Sequence, residues 1–181
     1  PDNATLATAA WDGAIRVWDL SSGTVLFTLP GYSQSRHRAN GALAFSPDGR
    51  LLAVAGHLQA VNVWDLHTKQ PRYTLEGHTQ PVVALAFSPD GETIATATFD
   101  PNQLMREPAE VKVWDASTGH ERYSLPNESQ GVYDLEIDPQ GRTLALANLD
   151  KTITLWDLST RELRATLINR ADAIATAARD A

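Results

Sequence analysis

Cysteine is absent from the chain. Disulfides, thiolate-held metals, iron–sulfur clusters and cysteine nucleophiles are excluded together, and the expected compartment is a reducing one such as the cytoplasm. Long apolar runs are missing as well. The longest spans Val82 to Phe87, whereas a helix needs about 20 apolar residues to cross a bilayer, so no membrane partner is expected. Positive charge is in deficit: 15 Lys and Arg face 22 Asp and Glu, a formal net of −7. Such a chain has no long-range attraction for a polyanion, and nucleic acid is not an expected partner. The chain opens on Pro1-Asp2-Asn3, without an initiating Met or an export signal, and reads as a piece of a longer polypeptide. Phosphate-cradling Gly-x-x-x-x-Gly-Lys, the Gly-x-Ser-x-Gly elbow and His-Glu-x-x-His are all missing, so no enzyme activity and no cofactor are expected.

What is present is enough to fold. The 181 residues are 43% hydrophobic and 20% charged, values of an ordinary globular domain with a core of its own. A repeat decides how that core is divided. Val17-Trp18-Asp19, Val63-Trp64-Asp65, Val113-Trp114-Asp115 and Leu155-Trp156-Asp157 share one pattern, with Trp-to-Trp steps of 46, 50 and 42. A Leu follows each Trp at a constant 11 residues: Leu29, Leu75, Leu125 and Leu167. The uneven steps come from a four-residue insertion within 30–42 and an eight-residue insertion at Pro101–Pro108, and without them the unit is 42 residues long. Units of about 1–29, 30–75, 76–125 and 126–167 follow, with an Ala-rich tail at 168–181. The tail's Ala173–Asp180 resembles a second strand of a unit, but a short helix fits its alanine content equally well.

Each unit reads as four short strands. Stretches of period two, such as Ala84-Leu85-Ala86-Phe87 and Val111-Lys112-Val113-Trp114, alternate with turn chemistry. Ser46-Pro47-Asp48-Gly49 and Ser88-Pro89-Asp90-Gly91 are tight turns, and Asp138-Pro139-Gln140-Gly141 repeats the scheme: Pro presets φ, Asp bonds back to the chain and Gly accepts a positive φ. The fold class is all-β.

Over residues 5–167, the four Trp-Asp pairs, the Ser-Pro-Asp-Gly turns and the common unit length resemble the WD40 repeat family, in its bacterial type. The resemblance implies a β-propeller of about four blades, each a four-stranded antiparallel sheet. In that family a His, a Ser or Thr, an Asp and the Trp form a hydrogen-bonded tetrad, and the third unit supplies all four as His78, Thr96, Asp100 and Trp114. These are expected to be structural. The first unit keeps Thr8, Asp12 and Trp18; the second has Tyr32, Val54 and Leu58 at the polar positions; the fourth has Asn127 and Leu146 beside Asp150 and Trp156. Packing has to replace the network in the second and fourth units, which are expected to be the softer ones.

Members of the family generally serve as non-catalytic platforms, so the resemblance implies a scaffold for a protein or peptide partner, within a larger signalling or assembly protein. Partners commonly bind the face carrying the inter-blade loops, where both insertions fall. The first insertion holds Arg36, His37 and Arg38, and the second Leu104, Met105 and Arg106. The family's contact positions just before the turn Asp match Trp11, His57, Phe99 and Leu149. Trp11 and Phe99 are binding anchors if they face solvent, and core residues if they pack under neighbouring loops. Gln80 and Tyr133 lie near the same rim. The enzyme alternative is a metal-dependent hydrolase in the central channel, using Asp134 and Glu136, which align with Ala84 and Ala86 of the preceding unit; the other reading of that pair is a blade face open to water. Four units are few for a ring, so completion by a homodimer of eight blades or by the remaining blades of a longer chain is expected.

Overall fold

The structure is a computed structural model that describes residues 4–10, 12–30, 42–55, 59–100 and 107–168. Within them the secondary structure is fifteen strands and their turns. The first sheet is β1 (Thr5–Ala9), β2 (Ile15–Asp19) and β3 (Thr24–Leu29). The second is β4 (Leu43–Phe45), β5 (Leu51–Ala55), β6 (Val61–Asp65) and β7 (Gln70–Leu75). The third is β8 (Val82–Phe87), β9 (Thr93–Thr98), β10 (Val111–Asp115) and β11 (Glu121–Leu125), and the fourth β12 (Val132–Ile137), β13 (Thr143–Asn148), β14 (Thr152–Asp157) and β15 (Leu163–Ile168). Every pairing is antiparallel and follows chain order. The first blade has three strands because the described chain enters it at the second position of the unit.

The turns explain the constant spacings. Gly49, Gly91 and Gly141 have φ near 70°, and each donates its amide to the residue three back, Gly49 to Ser46 at 2.9 Å, Gly91 to Ser88 at 2.8 Å and Gly141 to Asp138 at 2.8 Å. Ser46 Oγ accepts the Leu51 amide at 2.8 Å. In the fourth blade Asp138 does the same for Thr143 at 2.8 Å. At the other turn, the Asp of each Trp-Asp pair caps the loop that follows: Asp115 Oδ1 accepts the amides of Ser117 and Thr118 at 2.9 and 3.0 Å, and Asp65 accepts those of His67 and Thr68. A register shift falls immediately before the Trp in all four blades; such a bulge adds local twist.

Packing follows one rule at every blade boundary. The small face of one blade, alanine on the inner strands and valine further out, receives the Leu and Trp face of the next. Ala84, Ala86, Ala95, Ala97, Val111 and Val113 meet Leu135, Ile137, Leu144, Leu146 and Trp156. Ala53, Ala55, Val61 and Val63 meet Leu85, Ile94 and Trp114, and Ala7, Ile15 and Val17 meet Leu52, Val54 and Trp64. Complete burial of a Val, Leu or Ile contributes roughly 1.5–3 kcal/mol, so these boundaries carry the stability of the chain. β5 is buried along its whole length because it has a blade on both sides.

A smaller contact seals each boundary. The aromatic nine residues after one Trp lies beneath the turn residue five after the next Trp. Lys69 Nζ is 4.9 Å from the Phe27 ring centroid, and Arg161 Cζ is 4.3 Å from that of Tyr123. Over Tyr73 the position is Gly119, where a Cβ would fall 2.5 Å from the ring. All three turn residues have positive φ. Tyr73 and Tyr123 also donate their hydroxyls to the Ala116 and Leu158 carbonyls of the next blade.

Candidate partner-binding rim

The third blade contains a continuous chain of buried polar groups. Trp114 Nε1 donates to Thr96 Oγ1 at 2.8 Å, Thr96 Oγ1 lies 2.7 Å from His78 Nε2, and His78 Nδ1 lies 2.8 Å from Glu110 Oε2. Burial lowers the His78 pKa against the pull of Glu110, so the imidazole is neutral. An ionised carboxylate only accepts, which places the proton on Nδ1 and makes Nε2 the acceptor for the Thr96 hydroxyl. Burial opposes ionisation of Glu110, but hydrogen bonds from Thr79 and His78 outweigh it and hold the carboxyl below its ordinary value.

Glu110 is a correction. The carboxylate on His78 was expected from Asp100, and the structure puts Glu110 there. The eight-residue insertion lengthens the step from Asp100 to the Trp, and Glu110 stands four residues before Trp114. The first blade keeps a shorter version, Trp18 Nε1 to Thr8 Oγ1 at 2.8 Å, with Asp12 bound to Arg16 and brought down to a pKa of about 2, first by that hydrogen bond. In the second and fourth blades Trp64 Nε1 and Trp156 Nε1 are buried without a hydrogen-bond partner, as Val54 and Leu146 in place of threonine require.

The expected contact residues divide between those that the structure describes and those that it does not. Trp11, Arg36, His37, Arg38, His57, Leu104, Met105 and Arg106 lie outside the described residues. Phe99 is described and half-buried. Its amide donates to the Pro81 carbonyl at 3.0 Å, it bridges to Gly131 of the fourth blade, and its ring rests where a Cβ on Gly131 would fall 2.3 Å away. The Tyr133 ring stands 5.4 Å from it at 56°, and Tyr133 is 57% exposed. The body of Phe99 is therefore packed, and it props an aromatic that faces solvent. Leu149 joins the same corner through its amide to the Gly131 carbonyl at 2.8 Å.

Gln80 does not present itself to a partner. It is buried, with Nε2 donating to the Pro108 carbonyl at 3.1 Å and Oε1 accepting from Thr98 at 3.2 Å, and it ties the end of the insertion to β9. Asp134 and Glu136 are exposed on β12, and Asp134 accepts the Leu135 amide at 2.9 Å. Among the described residues no group of three or more His, Asp or Glu is placed to hold a metal. At the opposite end a cleft of about 430 Å³ between the second and third blades is lined by Arg72 and Arg122 against Glu92 and Asp115, a balanced set of charges.

Four repeated sheets with a capping Trp-Asp turn, and one with a complete His-Thr-Trp relay, identify the chain's kind, and the family model for the WD domain, G-beta repeat, matches residues 1–19, 23–65, 69–102 and 119–157. The chain belongs to the WD-repeat family. The third match stops at 102 and the fourth resumes at 119, so all but the first two residues of the long insertion fall in the gap between WD matches. A search of curated proteins finds no match. Glu110 and the turn residues over the ring of the preceding blade are the parts of this WD architecture that sequence reasoning missed; a carboxylate two residues past the insertion and the common position of Lys69, Gly119 and Arg161 were the available signals.

Proposed function

We propose that this WD-repeat chain is a non-catalytic scaffold that holds a protein or peptide partner on the rim where Phe99 and Tyr133 meet. The observation that carries this reading is a largely exposed tyrosine propped by a packed phenylalanine. Rigid aromatics of this kind dominate interface energies because they bury much area at little entropic cost. Trp11, His57, the Arg36–Arg38 cluster and the Leu104–Arg106 segment, outside the described residues, are the further contact candidates of this proposal from the sequence, and the scaffold is part of a larger signalling or assembly protein in a reducing compartment. The open blade faces are separate from the rim and take further blades. The hydrolase alternative has no supporting site, since Asp134 and Glu136 stand without a third ligand among the described residues.

The test is a peptide selection on the immobilised chain followed by titration of the selected peptides. Tyr133→Ala is expected to weaken binding at least tenfold, and Phe99→Ala to weaken it further, with the β-sheet circular dichroism unchanged for Tyr133→Ala. Selected peptides that bind the double variant as well as the parent would remove the rim from consideration.

A further inference from the structure

At the turn end of each blade boundary the same few positions meet, and the boundary between the second and third blades fills them differently. The residue after the Asp of the Trp-Asp pair is Leu66 in the second blade and Leu158 in the fourth, each packed against its boundary core. In the third blade it is Ala116, which lines the cleft of about 430 Å³. The residue five after the Trp is Lys69 or Arg161 at the other two boundaries, laid across an aromatic ring, and Gly119 here. Neither a leucine nor a long cation occupies this boundary, and a cleft remains within the range of small-ligand sites, about 300–1,000 Å³.

The repeat also shows why two charges on its walls are uncommitted. Eight residues after the Trp stand Arg72, Arg122 and Arg164. Arg122 donates to Thr93 Oγ1 at 3.0 Å and to Asp115 Oδ2 at 2.7 Å, and Arg164 donates to Thr143 Oγ1 at 3.1 Å and, through Nε, to Asp157 Oδ2 at 3.0 Å. In the second blade Leu51 stands where those threonines are, and Asp65 Oδ2 takes Arg50 Nε at 3.3 Å instead. Arg72 is left lining the cleft without a hydrogen bond or ion pair among the described residues. Glu92 follows the turn glycine where Arg50 and Arg142 stand in the neighbouring blades, and its carboxylate also has no partner among the described residues. Asp115 and Arg122, the other two charges of the cleft, satisfy each other.

A ligand with one charge loses at one of these groups what it gains at the other. We propose that the cleft binds a dipolar ligand of the size of one or two amino-acid residues, its carboxylate on Arg72 and its ammonium or guanidinium group on Glu92. A guanidinium holds a carboxylate through two parallel N–H donors, and Leu51 and Ala116 supply an apolar wall between the two charges' elements. A free zwitterion and a peptide segment that carries both charges share this chemistry. The site lies at the end of the blades away from Phe99 and Tyr133, so it stands or falls apart from the rim.

The test is a titration of the isotopically labelled 181-residue chain, followed by amide resonances, with alanyl-alanine, its N-acetyl form, its amide, and a doubly capped glutamyl-alanyl-lysine. Saturable shifts at Glu92, Ala116 and Ser117 are expected with a doubly charged probe, and at least tenfold weaker binding with the two singly charged forms. Preference for the free dipeptide marks a free zwitterion as the ligand, and preference for the capped peptide marks a segment of a partner. Arg72→Ala is expected to weaken binding at least tenfold. Glu92→Arg, which copies the neighbouring blades, is expected to favour the N-acetyl form over the free dipeptide. Ala116→Leu, which places the residue of the second and fourth blades in the cleft, is expected to abolish the shifts, and Tyr133→Ala to leave them unchanged. Shifts from neither doubly charged probe, equal affinity for all four probes, or binding indifferent to Arg72→Ala would overturn the proposal, whereas the peptides selected on the rim report on that reading alone.

Discussion

The second and third blades have the same strands, the same turns and the same boundary packing, yet the third hangs its Trp on a hydrogen-bonded relay and the second on hydrocarbon. Trp114 Nε1 reaches Thr96, and behind it stand His78 and Glu110. Trp64 Nε1 reaches nothing, because Val54 occupies the threonine position. Both indoles are buried. The fold therefore needs the volume of the Trp more than its N–H. A relay is tolerable only when complete, since each buried group left unpaired costs about 1–3 kcal/mol.

The sharpest way to break the contrast is Thr96→Val, which copies the second blade into the third. It strands Trp114 Nε1 and His78 Nε2 together, and an expected loss of roughly 2–6 kcal/mol follows from two orphaned groups at the cost given above; urea denaturation measures it. Gly131→Ala should come next. Its Cβ meets the Phe99 ring at 2.3 Å, and overpacking of that kind costs about 1–3 kcal/mol, with loss of the near-ultraviolet signal of the Phe99 and Tyr133 pair. The reverse exchange, Val54→Thr, gives Trp64 Nε1 an acceptor and is expected to stabilise by about 1 kcal/mol; an unchanged or lower melting temperature would show that the hydroxyl finds no usable geometry.

The smallest effect is one of pH. The folded His78 has a pKa held below its ordinary value of 6.5 by burial. Below that value the unfolded chain binds a proton that the folded chain refuses, so stability falls as the pH drops, and protonation of Glu110, whose folded pKa is also lowered, adds to the loss at lower pH. Thermal melts between pH 7.5 and 5.5 should slope downward for the parent chain. His78→Gln should flatten that slope while lowering stability throughout, and equal slopes would place the acid sensitivity elsewhere.

The architecture was legible because its signals are local. Trp, Asp, Gly and the 11-residue step to the next Leu are fixed by turns and a bulge within one unit. The loss of the relay in the second and fourth blades was legible too, since Val54 and Leu146 cannot accept a hydrogen bond. Glu110 was not legible: an insertion rewrites sequence distance without saying which carboxylate returns to the histidine. Phe99 was half legible, because its position put it at the rim, but Gly131, 32 residues later, decides how deeply its ring settles. Tyr133 is the extra residue of the register shift between Val132 and Asp134, which no local pattern announces.

In the second, third and fourth blades the residue five after the Trp lies over the aromatic of the blade before it. Free energy in this chain is thus stored in seams, as in other linear repeat arrays: one blade alone has none, four blades in a row have three, and a closed circle has as many seams as blades. Deleting the fourth blade would remove a seam and also unseal Tyr123 of the third, so damage at one end is passed inward by a single step and then stops.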